Sequence, residues 1–140
     1  MIHELIRTPS LACTYLAELR DEQIQKDRMR FRLNLERLGE CMALELSKFL
    51  SYTHETVSTP LGRAAVNQMQ SQPVLATILR AGLPMHQGMM RMFDGADVAF
   101  AAAYRQTQAG DDFTIEIDYV GSGSIEGRTL ILVDPMLATG

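Results

Sequence analysis

The sequence is poor in the residues that cross-link small secreted domains and in those that stack on nucleic-acid bases. Its 140 residues include two cysteines, no tryptophan and only 6% aromatic side chains. Two cysteines cannot build a disulfide framework, and Cys13 and Cys41 do not form a CxxC pair. So few aromatic side chains argue against a base-stacking platform. We therefore expect a protein of the reducing cytoplasm with no nucleic-acid partner.

Long apolar runs and an excess of positive charge are also absent. No segment approaches the roughly 20 apolar residues of a membrane helix, and the start Met1-Ile2-His3-Glu4 lacks the apolar stretch of a signal peptide. With 13 basic and 17 acidic side chains the net charge is −4, which disfavours broad binding to nucleic acid or to anionic membranes. At 46% apolar and 21% charged residues, the composition is that of one globular domain.

Residues 1–54 are predicted to form a helical segment. Ser10 is the expected N-cap of a short helix that ends near Arg20, and Asp21 is the expected N-cap of a longer one, supported by a Glu22–Lys26 pair. Apolar residues at spacings of three and four predict the buried face of the longer helix: Phe31, Leu35, Leu38, Met42, Leu46 and Phe49. A basic cluster in this stretch is either a solvated face or a phosphate or subunit contact: Arg28, Arg30 and Arg32.

Residues 55–140 are predicted to begin an α/β core. Apolar runs typical of strands buried on both faces occur at 74–79, 98–104 and 129–133, although the alanines of the second run would also suit a helix. Pro84 is expected to open a helix after the first run. Three methionines are expected on the buried face of that helix: Met85, Met89 and Met92. The strand–helix–strand order predicts a parallel sheet flanked by helices.

Two further segments carry strand signals. Residues 55–62 are predicted to form a strand that is closed by a Pro/Gly turn. Residues 113–119 alternate apolar and polar side chains, which is typical of a hairpin arm with one wet face. Because the exposed edges of such an arm need covering, we expect a homo-oligomer, with a dimer as its simplest form.

A charged side chain follows each of the three apolar runs: Arg80, Arg105 and Asp134. Ligands of open parallel sheets bind at the carboxyl ends of the strands, where an unpartnered charge is costly to desolvate. The guanidinium groups would hold an anion, and the carboxylate would bind hydroxyls or approach a divalent cation through water. Small-residue loops at 80–82 and 138–140 would present N–H groups to a phosphate, with Gly82 supplying conformational freedom. The alternative is three unrelated surface charges.

The remaining chemistry-bearing residues predict no further site. His3, His54 and His86 lack an HxxxH spacing or a carboxylate partner at ligand spacing, so no direct metal ligand is expected. We interpret His86 as a surface or helix-packing residue. The two cysteines lack a histidine nearby in the sequence and are expected to be inert thiols.

Several of these segments resemble motifs of the uracil phosphoribosyltransferase family. Residues 133–140, Val-Asp-Pro-Met-Leu-Ala-Thr-Gly, resemble the opening of its phosphoribosyl diphosphate loop, and residues 78–85 resemble its diphosphate-binding loop. Residues 103–105 resemble its third anchor. Most relatives in the superfamily carry two adjacent acids where this chain has Asp134 and Pro135, which favours the uracil branch. Three more segments fit the same family: Leu19-Arg20, Phe31-Arg32 and residues 55–62.

The resemblance implies one phosphoribosyltransferase domain that converts uracil and phosphoribosyl diphosphate to UMP and diphosphate with the aid of Mg²⁺. Arg80 and Arg105 would hold the diphosphate, with Ala81 and Gly82 in the loop beside it, and Asp134 would bind the ribose hydroxyls. The rest of the implied substrate-binding set includes the start of the 5′-phosphate cradle: Pro135, Met136, Leu137, Ala138, Thr139 and Gly140. A homodimer or higher homo-oligomer is also implied, with GTP as a candidate effector.

The family's loop continues beyond the position of Gly140, and its uracil-recognising segment has no counterpart in residues 1–140. We therefore expect the domain to be incomplete at its C-terminus and these residues alone to be inactive. A phosphoribosyltransferase for another base is one alternative, and a non-catalytic regulatory module with the same fold is another. The combination of Arg80, Arg105 and Asp134 speaks against the second, because a structural relic does not need all three.

Overall fold

The described part of the chain contains three α-helices. Two of them precede the first strand, and the third connects two parallel strands of the sheet. The computed structural model describes residues 2–107 and 113–136, with side chains for 2–103 and 120–136. In this part of the chain the helices are α1 (Leu11–Arg20), α2 (Arg28–Ser47) and α3 (Leu83–Met92), with short 3-10 helices at Leu5–Arg7 and Ile24–Lys26. None of the described helices is long and apolar enough to cross a membrane.

Six described strands form two separate sheets. The first is an antiparallel hairpin of β1 (Tyr52–Thr59) and β2 (Gly62–Met69). The second sheet has the strand order β5-β4-β3-β6, and its strands are β3 (Val74–Leu79), β4 (Asp97–Thr107), β5 (Phe113–Gly121) and β6 (Leu130–Val133). In it β3 pairs in parallel with both β4 and β6, whereas β5 pairs antiparallel with β4 at the edge. The predicted α/β fold with a parallel centre and a hairpin arm is confirmed.

The core lies where the helices stack on the sheet. Helix α3 packs on β3, α2 packs on α3, and α1 packs on α2. Two glycines allow α2 and α3 to approach closely. A Cβ on Gly39 would lie 2.2 Å from the carbonyl oxygen of Met85, and one on Gly88 would lie 1.9 Å from that of Glu36. The helices therefore touch backbone to backbone, which neither position would permit with a larger side chain.

The long helix begins later than the sequence predicts. Its N-cap is Asp27, whose side chain accepts hydrogen bonds from the backbone N–H groups of Met29 and Arg30, each at 3.0 Å. Asp21 instead accepts from the backbone of the short 3-10 helix that follows it. The two aspartates offer the same local capping chemistry, so the sequence alone does not choose between them. The expected Glu22–Lys26 pair is also wrong, because the Lys26 ammonium donates to Gln23.

The end of that helix and the hairpin after it differ from the prediction too. Helix α2 ends at Ser47, Phe49 beyond it is 59% exposed, and β1 already begins at Tyr52. The strand predicted at 55–62 therefore starts three residues earlier, and it ends at Thr59, directly before the predicted Pro/Gly turn. Strand β2 itself goes unpredicted, because most side chains of the hairpin are exposed and no strong alternation marks it.

Helix α3 buries only part of its predicted methionine face. Met85 and Met89 belong to the core, whereas Met92 in the last turn is 47% exposed. His86 is buried, and its Nε2 atom lies within hydrogen-bond distance (3.1 Å) of the backbone oxygen of Leu75. Of the two roles considered for His86, helix packing is the correct one. Its ring fixes α3 against the central strand.

A polar network joins α1 to α2. The Arg30 guanidinium donates two hydrogen bonds to the carboxylate of Glu18, at 2.8 and 2.6 Å, and the buried Asn34 amide donates a third at 2.6 Å. The bonds from Arg30 and from Asn34 hold the pKa of Glu18 at about 2, below its usual value of 4.5. The network is thus strongest while Glu18 is ionised.

We expect Gly88→Ala to destabilise the protein, because its Cβ would force α3 away from α2. Overpacking of this kind costs roughly 1–3 kcal/mol, against about 1 kcal/mol gained from the better helix propensity of alanine. Urea unfolding should therefore show a lower midpoint for Gly88→Ala. Gly123→Ala is the control, since nothing lies within 4 Å of its added Cβ. A Gly88→Ala protein as stable as the wild type would contradict the close helix contact.

The Glu18 network should also make stability depend on pH in a defined window. Because folding lowers the pKa of Glu18 from 4.5 to about 2, the stabilisation is complete above about pH 5 and is lost as the pH falls from 4.5 towards 2. The difference in unfolding free energy between wild type and Glu18→Gln should shrink over that range. In an Arg30→Gln background the same comparison should show a weaker pH dependence. An equal dependence in both backgrounds would rule out Arg30 as its main cause.

Candidate functional site

The structure brings Arg80 and Asp134 to the same edge of the sheet. Arg80 directly follows β3 and Asp134 directly follows β6. These strands are parallel neighbours, with Thr77 opposite Val133 in the register, so their carboxyl ends emerge side by side. The peptide bond between Leu79 and Arg80 is cis. The two charges thus share the sheet edge at which open α/β folds bind ligands.

A buried hydrogen bond ties the two strand ends together. The Thr77 hydroxyl donates to the backbone oxygen of Val133 at 2.8 Å, and Thr77 is completely buried. Gly82 covers this bond: an added Cβ would lie 1.9 Å from the Thr77 hydroxyl oxygen and 3.0 Å from that of the Val133 carbonyl. Gly82 has φ −73 and ψ −14, which any residue adopts. It is therefore required for space and not, as the sequence predicts, for conformational freedom.

A cleft of about 660 Å³ opens above these strand ends. Its sheet side consists of the two loops that the sequence singles out: Arg80, Ala81, Asp134, Pro135 and Met136. Its helical side comes from α1, α2 and the start of α3: Leu16, Leu19, Arg20, Phe31, Arg32, Leu35 and Pro84. The cleft thus combines an apolar wall with three guanidinium groups and one carboxylate, a lining suited to a ligand that carries phosphate and less polar parts.

Asp134 is oriented by its own loop. One carboxylate oxygen accepts a hydrogen bond from the backbone N–H of Met136 at 2.8 Å, and the residue is half-buried. Among the described residues no donor is bonded to the second carboxylate oxygen, which can accept hydrogen bonds from ligand hydroxyls.

Arg105 lies inside a strand and not directly after one. The sequence places Arg105 just after a strand, but β4 continues to Thr107, and Arg105 lies inside it opposite Ile115 of β5. That prediction is wrong because antiparallel pairing with the arm prolongs β4 beyond Ala102, the last residue that pairs with β3. The side chain of Arg105 lies outside the described residues. The same holds for all of Leu137, Ala138, Thr139 and Gly140.

The three arginines of the basic cluster in α2 have different surroundings. Arg30 forms an ion pair with Glu18, Arg32 lines the cleft, and Arg28 does neither. The sequence pattern alone does not identify Thr77 as a site residue or place Arg32 at the cleft. The signal that could have pointed to Thr77 is a threonine inside an apolar strand. The signal that could have pointed to Arg32 is the resemblance of Phe31-Arg32 to a family motif.

No metal cage occurs among the residues that the structure describes, where no three His, Cys, Asp or Glu side chains are grouped closely enough to hold an ion. His3 lies 3.7 Å from Glu45, away from the cleft. Burial raises the pKa of the Cys41 thiol, in keeping with an inert thiol. The cleft offers a cation the single carboxylate of Asp134. Such a donor fits Mg²⁺ that takes its other ligands from water and from a bound phosphate compound.

Comparison with known proteins identifies relatives over nearly the whole chain. The family model described as "Uracil phosphoribosyltransferase" matches residues 6–140. A uracil phosphoribosyltransferase of Porphyromonas gingivalis is 50% identical over 131 residues, which are 94% of this chain and 61% of the relative. One from Methanococcus vannielii is 35% identical over 136 residues, 95% of this chain and 56% of the relative. The chain therefore spans about six-tenths of the length of these relatives.

A solved structure supports the same fold. It belongs to a protein from Aquifex aeolicus, is 25% identical in sequence and superimposes with a TM-score of 0.82. The match covers 99% of this chain and 64% of that one.

We expect Thr77→Val to destabilise the protein by about 1–3 kcal/mol, because it leaves the buried Val133 oxygen without its side-chain donor. Thr77→Ser is the matched variant: it keeps the donor and loses one methyl group, at a cost of about 0.8 kcal/mol. Urea unfolding should rank the wild type above Thr77→Ser and Thr77→Ser above Thr77→Val. A Thr77→Val protein at least as stable as Thr77→Ser would show that the hydroxyl does not hold the strand ends together.

Proposed function

Because the chain belongs to the uracil phosphoribosyltransferase family, we propose that the protein transfers the phosphoribosyl group of phosphoribosyl diphosphate to uracil, with UMP and diphosphate as products. The observation that carries this proposal is the position of Arg80 and Asp134: they follow two adjacent parallel strands and border the same cleft of about 660 Å³. A cation and a hydroxyl-binding carboxylate side by side suit a sugar that carries a diphosphate.

The reaction is a substitution at the anomeric carbon of the ribose. The bond from this carbon to the diphosphate oxygen breaks and its electron pair leaves with the diphosphate. A bond to a ring nitrogen of uracil forms, and the proton of that nitrogen passes to water. Positive charge develops on the sugar while negative charge develops on the departing diphosphate. Catalysis then depends on positioning and on stabilising the leaving anion, and no nucleophilic side chain is required.

Arg80 is the residue that we assign to the leaving group. Its guanidinium is exposed at the cleft, and among the described residues no carboxylate lies within 4.0 Å of it. Its forked donors match two oxygens of a diphosphate. Ala81 and Gly82 would bring the backbone of the same loop close to the ligand. We propose Arg105 as a second diphosphate ligand, on the basis of the family resemblance.

Asp134 would accept hydrogen bonds from the ribose hydroxyls through the carboxylate oxygen that Met136 does not occupy. Pro135 and Met136 border the cleft directly after it, and we propose that Leu137, Ala138, Thr139 and Gly140 continue from there to the 5′-phosphate. Mg²⁺, when bound with the substrate, would neutralise part of the diphosphate charge. Asp134 is the residue of the cleft that would hold it, through water.

The proposal extends to assembly and regulation. Strand β5 lies at the edge of its sheet, and the β1–β2 hairpin has mostly exposed side chains, so both offer edges that a second copy of the chain would cover. We therefore propose a homodimer or higher homo-oligomer that works in the cytoplasm. The family resemblance supports GTP as an effector, and none of the residues above is assigned to it.

The proposal is tested by supplying full-length protein with labelled phosphoribosyl diphosphate and one base at a time. We expect UMP from uracil and no nucleotide from other bases. Arg80→Gln and Arg105→Ala should each weaken binding of phosphoribosyl diphosphate by roughly 1.5–3 kcal/mol, tenfold to over a hundredfold, and uracil binding much less. Arg28→Gln, which lies outside the cleft lining, is the control.

Three results would contradict parts of this proposal. A nucleotide formed only from another base would overturn the substrate. No nucleotide from any base would overturn the activity. Equal loss of affinity for both substrates in Arg80→Gln and Arg105→Ala would overturn the assignment of these arginines to the diphosphate.

A further inference from the structure

Two arginines of the helical side border the same cleft as Arg80. Arg20 is the last residue of α1, and Arg32 lies in the second turn of α2. Both are exposed, and in the described part of the chain neither has a carboxylate within 4.0 Å. Three guanidinium groups therefore line a cleft with one carboxylate, in a chain whose net charge is −4.

Three other arginines of the helices have carboxylate or aromatic partners, whereas Arg28 of α2 has none among the described residues. Arg30 is bonded to Glu18, Arg91 is bonded to Glu36 and Glu40, and Arg37 lies over the ring of Tyr15. Arg20 and Arg32 are thus not simply part of a general pattern of surface ion pairs. What distinguishes them is their place at the cleft.

Helix electrostatics does not account for Arg32. The positive end of the helix dipole acts within the first turn, and Arg32 lies in the second, so the dipole gives it neither a reason nor a partner. Arg30, in the first turn, is bonded to Glu18. Arg28 and Arg32 both have no carboxylate partner among the described residues, and of the two Arg32 is the one that borders the cleft.

The fold also holds this pair of arginines in place. The Glu18–Arg30–Asn34 network joins the last turns of α1 to the first turns of α2, two residues away from Arg20 on one helix and from Arg32 on the other. Apolar side chains between the two arginines and the sheet, Leu19 and Leu35 among them, also line the cleft. Low-dielectric walls of this kind strengthen the attraction of a bound anion to nearby cations.

We propose that Arg20 and Arg32 are substrate-binding residues that hold a phosphate group of phosphoribosyl diphosphate from the helical side of the cleft. This inference rests on the proposed function and adds two residues to the binding site. Arg80 and the loop after Asp134 approach the ligand from the sheet, and the two helical arginines contribute donors from α1 and α2. The N-terminal helical segment is then part of the substrate site in addition to its packing role.

The test measures binding of two simple anions, inorganic diphosphate and ribose 5-phosphate, to full-length protein by calorimetry. Arg20→Gln and Arg32→Gln should each lower the affinity for at least one of them by about tenfold, as the loss of a charge-assisted hydrogen bond predicts. The anion that is affected identifies the phosphate group that each arginine holds. Lysine at either position should restore part of the affinity, since it keeps the charge and lacks the fork.

Arg28→Gln is the matched control, because Arg28 is exposed one helical turn before Arg32 and does not line the cleft. It should change both affinities less than twofold. The glutamine variants should unfold at the wild-type urea concentration, since the described structure gives Arg20 and Arg32 no partner whose loss would destabilise the fold. Binding that is unchanged for both anions in Arg20→Gln and Arg32→Gln would overturn the inference.

Arg80→Gln separates this inference from the proposed function. If Arg80→Gln loses affinity for diphosphate while both helical variants bind normally, the helical arginines are not ligands and the proposed function stands. If the helical variants lose affinity although the wild type forms no nucleotide from any base, the arginines bind phosphate and the proposed reaction is wrong.

Discussion

The hydrogen bond from Thr77 to the backbone oxygen of Val133 is the contact on which the site depends. It joins the carboxyl-terminal halves of two parallel strands, and each strand delivers one functional side chain, Arg80 or Asp134, within three residues. Gly82 closes over this bond with no space for a side chain. The backbone positions of a cation and a carboxylate are thereby held side by side at one edge of the sheet.

The helical half of the chain reaches this edge through close contacts of its own. The glycines at 39 and 88 let α2 and α3 touch through their backbones, and His86 fixes α3 to the strand that precedes Arg80. Helix α1 then follows through the Glu18 network. Each layer is positioned by the one beneath it, so the side chains of α1 and α2 that border the cleft owe their place to contacts of residues outside the cleft lining.

The net charge of the chain and the local charge at the cleft have opposite signs. The chain carries a net −4, which excludes a broad anion-binding surface. The fold nevertheless pairs Arg30, Arg91 and Arg128 with carboxylates and leaves three other arginines at the cleft. A local site for a phosphate compound can therefore form on an acidic protein, because the fold gathers at one cleft three guanidinium groups that have no carboxylate partner in the described part of the chain.

Sequence pattern alone predicts the central strands, the helix opened by Pro84 and the meeting of Arg80 with Asp134, because residues that follow parallel apolar strands lie at one edge of the sheet. It did not distinguish Asp21 from Asp27 as the helix cap, nor anticipate β2, since both depend on neighbours distant in the chain. Arg105 was placed at a strand end that antiparallel pairing extends. Which arginines of α2 bond to carboxylates and which border the cleft depends on how the helices pack against each other, and local spacing in the sequence does not record that packing.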